Sequence, residues 1–483
     1  MMQSLSCVVV ALLAAGTGCA SAASDERREP TAGAVDESAP NERVAPAGLS
    51  ARAPYYGTLE APSVTAGSTW WRTYAGVDTS ARDSAVAVAI DPRGRAVVLA
   101  RLADRAFGIV VYGVDGSLAW ARSFRDPSDD ADYATSLALD GAGNVIAAGT
   151  WQRSDAPLGG FLVVSFDPDG ALRWSARSDG RGALSALAVD AGGHVVVTGG
   201  GSDGSHTLAR TIAYDSAGRV TWEANELGPL ARGAVGRRVA LDASGNAYVA
   251  GESTDGAHDQ MTLFAYDAAG AKHWATRATE DPAHVPQSTV QALALDAAGA
   301  PHVAVARAYR STPDAEPKVQ LVVAKYDAAG SALWSATVSE GTRNIATAIA
   351  VDRAGRVTAT GFAGSPHPDS FLTVQYDAAG QLRWSDRCRW DAPGEHQARA
   401  LAVDASGNVI VSGSAVGTDA VTGFGSIAYA PDGHALWHRL DRDPGNAASS
   451  ASAMALHPSG ALFIAGSVLS APRGSVALLK SAQ

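Results

Sequence analysis

The chain has 483 residues, 46% hydrophobic and 18% charged, with 51 Gly and 22 Pro. That is enough apolar material for a large core and too little charge for a disordered chain. A net charge of −11 argues against a nucleic-acid footprint, and three cysteines (Cys7, Cys19, Cys388) rule out a disulfide framework.

Residues 5–18, LSCVVVALLAAGTG, form an apolar run of the length of a signal h-region. It is shorter than the roughly 20 residues of a membrane span. Gly16-Thr17-Gly18-Cys19 resembles a bacterial lipobox, which implies lipidation at Cys19. Two departures stand against it: Leu is usual where Gly16 stands, and the n-region MMQS lacks Lys and Arg. Ala20-Ser21-Ala22 offers an ordinary small-x-small cleavage site instead, and a misassigned start is the third reading. Both export routes predict an extracytoplasmic protein, lipid-anchored to the cell envelope or secreted.

Residues 20–66 are rich in Ala, Ser, Pro and mixed charge and cannot bury a core. They are expected to form a disordered tether spanning roughly 40 Å, or a leader without mechanical importance.

From residue 67 the chain repeats itself, which fixes the fold expectation more than local propensity does. Asp-x-x-Gly recurs at Asp91/Gly94, Asp140/Gly143, Asp190/Gly193, Asp242/Gly245, Asp296/Gly299, Asp352/Gly355 and Asp404/Gly407, with His457/Gly460 as the eighth copy. A second signature, Tyr/Phe-Asp-x-x-Gly followed by Trp, is clearest where it ends at Trp222, Trp274, Trp334 and Trp384, with variants at Trp120, Trp174 and Trp437. Asp accepts backbone N–H groups in such turns and Gly supplies the positive φ that closes a hairpin. β-rich runs flank each turn, so each unit predicts four antiparallel strands, A to D. Units of this kind stack, and the spacing points to an all-β chain, an eight-bladed β-propeller over residues 67–483. Seven blades is the competing count, if one divergent unit is not a full blade.

The chain ends in SVALLKSAQ, a C strand with no D strand after it. STWWRTYAG at 68–76 supplies the missing strand, with Trp71 expected at the repeat position, so the two ends close the last blade together. In this arrangement the A–B and C–D turns share one rim. The longer loops, among them WQRSDAPLGG, ARAYRSTPDAEPK, SFRDPSDDADY, ELGPLARGAVG and CRWDAPGEHQ, share the other. Variable loops on a rigid scaffold are the usual place for binding.

Asp-x-x-Gly-Asn/Arg-Val, then Phe-x-Val-x-x-Tyr-Asp-x-x-Gly-x-x-x-Trp-Ser, resembles the bacterial β-propeller repeats abbreviated SBBP, found in secreted and surface proteins. The resemblance covers residues 67–483 and carries no catalytic residues to transfer. A looser likeness to quinoprotein dehydrogenase blades stops at the Gly-x-x-x-Trp element. No vicinal Cys pair and no cofactor-clamping constellation accompanies it.

The repeat tryptophans are expected between blades. Trp70, Trp151, Tyr309 and Trp390 fall outside the repeat, and the last three sit in or beside variable loops, where they either pack their own loop or serve as candidate ligand contacts. Asp126, Asp129, Asp130 and Asp132 in DPSDDAD match no dedicated Ca²⁺ loop and are expected to be a solvated acidic stretch. The eleven histidines lack zinc spacing, and neither a Gly-x-Ser-x-Gly elbow nor a Walker loop is present. Cys388 is expected to be buried and inert.

The function expected is a monomeric binding or scaffold module without cofactor or metal, whose partner is a protein or glycan of the cell envelope. The alternative is an extracytoplasmic propeller enzyme, quinoprotein-like or carbohydrate-active, since the fold alone does not choose an activity.

Overall fold

The computed structural model describes residues 69–74, 83–103, 105–125, 129–278, 285, 287–312, 315–339, 341–364, 367–390, 392–470 and 473–481. The export segment, Cys19, the tether and Asp126 lie outside these residues. Among the described residues the chain is all β. Its strands form four-stranded antiparallel meanders, spanning residues 84–124, 131–177, 182–226, 233–277, 287–338, 344–388, 397–441, and 448–481 together with Trp70–Tyr74. These are numbered sheets 1 to 8 below, with strands A to D in order. A single parallel bridge, Asp259 to Gln287, joins sheets 4 and 5.

The A strands are Ser84–Ile90, Ala131–Leu139, Gly182–Val189, Gly233–Leu241, Gln287–Leu295, Asn344–Val351, Gln397–Val403 and Ala448–Leu456. Each touches the A strand of the next sheet, and the eighth touches the first, so the A strands are the inner strands of a propeller-like arrangement. The turns repeat this order, because Gly94 of sheet 1 lies against His457 of sheet 8, and Gly143 against Pro92. Cores lie between sheets. Leu99 and Phe107 pack with Leu137 and Leu162, while Val98 and Val110 pack with Phe463 and Leu478.

Every A strand carries a bulge at one register, where the ladder to strand B skips Val86, Thr135, Ser185, Arg237, Gln291, Thr347, Arg399 or Ser452. Opposite the bulge, strand B has Gly149, Gly199, Gly251, Gly361, Gly413 or Gly466 in six sheets. A Cβ there would strike a strand A carbonyl, which is why glycine recurs mid-strand.

The Tyr/Phe…Gly…Trp signature is one sheet receiving the tryptophan of the sheet before it. Trp222 lies 5.5 Å from Tyr266 and donates Nε1–H to the Ala268 carbonyl at 3.2 Å. Its indole covers Gly270, whose φ of 86° admits no side chain without strain. Trp120, Trp174, Trp274 and Trp334 likewise donate to the turn carbonyls of Pro168, Ser216, Ala328 and Ala378. Trp384 covers Gly433 but donates to Gln375 Oε1 within its own sheet.

Sheet 8 corrects the expectation that Trp71 holds the repeat position. Trp70 pairs with Lys480 as Trp384 pairs with Gln375, covers Gly116 and donates to the Val114 carbonyl at 3.1 Å. Trp71 points to the opposite face and packs on Phe424 of sheet 7 at 4.9 Å. A one-residue slip exchanges the faces of a strand, and the Trp-Trp pair conceals the register. The seam between sheets 7 and 8 differs for the same reason. Strands C and D of sheet 8 come from distant parts of the chain, and no turn among the described residues receives Trp437. Ser481 stands at the register where other sheets have Tyr or Phe.

Candidate functional site

On the turn side the repeated carboxylates are taken up by their own turns. Asp352 Oδ1 accepts N–H groups from Ala354 and Arg356 at 2.9 and 2.8 Å, and Oδ2 accepts Arg356 Nε–H at 2.5 Å. Asp140 and Asp404 repeat the pattern with Asn144 and Asn408. In the eighth turn His457 Nδ1 accepts the Ser459 N–H at 3.1 Å, the imidazole standing in for a carboxylate. An open groove of about 570 Å³ on this side is lined by Arg356, Asp377 and Arg383. Arg356 is committed to Asp352 and Arg383 to Gln375, so the groove presents no free cation.

On the loop side Trp151 and Trp390 are buried, at 5% and 8% exposure, in line with packing of the loops rather than an open stacking ring. The guanidinium groups of Arg153 and Arg177 lie over the Trp151 ring, 5.7 and 4.5 Å from its centre, and Trp151 donates to the Ser178 carbonyl. Trp390 packs edge-on to Phe371 and His438 and lies over Gly425. Both anchor their loops. Tyr309, the last residue of strand B in sheet 5, is half-buried and pairs with Lys318.

The acidic loop also differs from expectation. Asp129 is buried against Arg177 at 2.5 Å, Asp132 is 1% exposed, and Asp130 accepts the Ser154 N–H. These carboxylates pin two loops together instead of facing water. Among the described residues no group of three His, Cys, Asp or Glu side chains is placed to hold a metal. Cys388 is buried in the apolar cluster with Trp384 and Leu401.

Other loop acids are matched to arginines from outer strands and loops. Asp179 pairs with Arg210, Asp419 with Arg442, and Asp155 with Arg153. Asp369 accepts Arg387 and Arg389 at 2.7 and 2.8 Å; burial opposes its ionisation, yet these partners and Ser370 hold it below the usual carboxylate range. Glu252 is pushed up by burial and drawn down by Arg237, with Oε2 on Arg237 Nε and Oε1 on the Val290 N–H of the next sheet, both at 2.7 Å. His396 donates Nε2–H to the Ala392 carbonyl and accepts the Val416 N–H at Nδ1, so it is held neutral and burial lowers its pKa.

Four of the arginines without an acid stand beside the inner strands on this side. Arg181, Arg232 and Arg343 each stand one residue before strand A of sheets 3, 4 and 6, and Arg101 ends strand B of sheet 1. None has a carboxylate partner among the described residues. Arg101 is exposed, and its Nε–H is fixed on the Ala134 carbonyl at 2.7 Å beside Tyr133, which is 36% exposed. Just inside lie the bulge residues. Arg237 and Arg399 are the charged ones, and no bulge residue is an acid.

The sequence reading passed over both sets. A signal for the bulges was present: the residue five before each A–B turn Asp or His is polar in seven copies out of eight, within otherwise Ala/Val/Leu-rich strands.

No family model matches the chain, so the resemblance to SBBP-type repeats has no family match behind it. No curated protein is similar to it in sequence. Solved structures with a similar course of the chain include the polysaccharide lyase Uly1, at 8% identity and TM-score 0.48 over 82% of this chain and 89% of that one. Sqt1 from Chaetomium thermophilum follows at 14% identity and TM-score 0.46, over 69% and 79%. A protein of unknown function from Bacteroides caccae has 13% identity and TM-score 0.35, over 64% and 94%. Likeness at these values transfers no activity to this chain.

Proposed function

We propose that the chain is an exported, eight-bladed β-propeller that serves as a binding or scaffold module at the cell envelope. The ring closes through Trp70–Tyr74, a central channel runs along the A strands, and the partner docks on the loop rim. One observation carries the docking face: on the turn side the repeated carboxylates are filled by their own turns, whereas the loop side holds the non-repeating side chains, Arg101, Arg181, Arg232 and Arg343 among them. The inner-strand contacts from sheet 8 back to sheet 1 support closure. Export rests on LSCVVVALLAAGTG, with a diacylated Cys19 as the envelope anchor.

Native mass spectrometry of the protein purified from its own envelope tests this reading. A mature chain beginning at lipidated Cys19 with no bound small molecule is the expected result. A stoichiometric cofactor or metal would overturn the binding module in favour of an envelope enzyme.

A further inference from the structure

We propose that the loop-side mouth of the central channel binds an acidic polysaccharide, a chain of hydroxyl-rich sugars carrying intermittent carboxylates. The inference rests on the loop rim being the docking face and adds the chemistry of what docks there.

Arginine placement is the first ground. The molecule is acidic, at −11, and several of its loop acids are bound by arginines, Asp129 by Arg177, Asp179 by Arg210, Asp369 by Arg387 and Asp419 by Arg442. Arg101, Arg181, Arg232 and Arg343 have no carboxylate partner among the described residues; the last three lead directly into inner strands, and Arg101 ends the strand beside one. Guanidinium groups match carboxylates in a planar, two-point geometry, so these side chains suit an anionic ligand at the loop-side ends of the inner strands. Arg101 is already oriented by its Nε–H bond to Ala134, which leaves its terminal nitrogens for a ligand.

Spacing and composition select the class of anion. The arginines stand on separate sheets, which suits several charges along a chain better than one compact anion. One level inward, the half-exposed bulge residues include the neutral polar Ser185, Gln291, Thr347 and Ser452 beside two cations, with Thr347 already donating its hydroxyl to the Thr360 and Ala398 carbonyls. Six of the eight bulge residues are half-exposed. Both faces of an inner strand are covered by neighbouring sheets, so that exposure is toward the channel. Neutral hydrogen-bonding groups outnumber charges, as hydroxyls outnumber carboxylates in a uronic-acid chain. A polyphosphate carries a charge on every unit and fits this ratio poorly. Tyr133, beside Arg101, adds an exposed aromatic edge for a sugar ring.

The test is binding of the full chain to polygalacturonate at 50 mM NaCl, with neutral dextran and oligo-dT as competitors. The expected result is saturable binding that weakens on raising salt to 300 mM, with dextran and oligo-dT competing at least tenfold less well. The triple variant R101Q/R181Q/R343Q should lose about tenfold or more in affinity while melting as the parent does. Should the triple fail to fold, R181Q alone, on an exposed residue, should weaken binding about threefold. No binding at 50 mM NaCl overturns the acidic-glycan assignment, and the docking face then stands or falls on the envelope experiment. Binding unchanged in the variants overturns the mouth as the site and counts against the loop rim as docking face. Tighter binding of oligo-dT would replace the polysaccharide with a nucleic acid.

Discussion

Asp352 on the turn side and Arg101 on the loop side show how one repeat produces two different surfaces. Both oxygens of Asp352 are filled by groups within four residues, so its charge closes a hairpin. Arg101 spends one nitrogen on a carbonyl of the next sheet and faces no described carboxylate. Turn-side positions recur because each must satisfy its own backbone and receive its neighbour's tryptophan. Loop-side positions are free of that demand, so they vary, and variation on a rigid frame is where binding chemistry accumulates. The turn side should therefore respond to mutation in stability and the loop side in binding.

The largest effect is expected at ring closure. Removing residues 67–76 takes away strand D of sheet 8, exposes Val476 and Leu478, and leaves sheet 1 without Trp70. A sharp fall in Tm, or loss of a cooperative transition, is expected by calorimetry, whereas removing 20–66 should leave Tm nearly unchanged. Equal small effects would break the closure model.

Tryptophan docking comes next. Trp222→Ala should cost roughly 3–5 kcal/mol in denaturant unfolding, as a large-to-small core change. Trp437→Ala should cost about 1 kcal/mol less, because among the described residues Trp437 has no turn carbonyl to donate to and meets Ser481 where other sheets have Tyr or Phe. Equal losses would show that the seam between sheets 7 and 8 is not the weaker one.

A third contrast lies beneath the turns. His302 is fully buried at a register where sheets 1 and 3 have Val97 and Val196, and it donates Nδ1–H to the Ala300 carbonyl. Burial, then the nearby Lys325, pulls its pKa down to about 4 from 6.5. The unfolded chain takes up a proton that the folded site refuses. Stability present above pH 6.5 is therefore lost progressively as pH falls toward 4, by about 3 kcal/mol from this residue. His302→Val should remove that part of the acid sensitivity in parallel melts at pH 7 and 4.5. An unchanged slope would mean that the imidazole is already protonated in the fold.

Smaller effects belong to single turns. Asp404→Ala frees the Ser406 and Asn408 N–H groups and the Asn408 amide, at a cost of about 1–2 kcal/mol by chemical denaturation.

The sequence made the scaffold legible because repetition exposes its own grammar. Asp-x-x-Gly gave the hairpins, and the Tyr…Gly…Trp spacing marked the residues that meet across a seam. Three kinds of feature were hidden. The register of Trp70 and Trp71 depends on a cross-strand partner more than 400 positions away, Lys480. The burial of Trp151, Trp390 and Asp129 depends on how two loops cover one another, which no local pattern encodes. The arginines without an acid emerge only once the ion pairs of the loops are laid out in space. The bulge ring was open to reading, five residues before each turn, but looked like ordinary polar scatter within a strand.

The most direct test of the division between the rims places two triple variants side by side. D140A/D352A/D404A removes three turn carboxylates, and R101Q/R181Q/R343Q removes three mouth cations. For each, Tm and affinity for polygalacturonate are measured at the same salt. The predicted result is a lower Tm with retained affinity for the first, and an unchanged Tm with affinity lost about tenfold for the second. A mouth variant that melts early while still binding, or a turn variant that stays stable yet loses binding, would contradict the account.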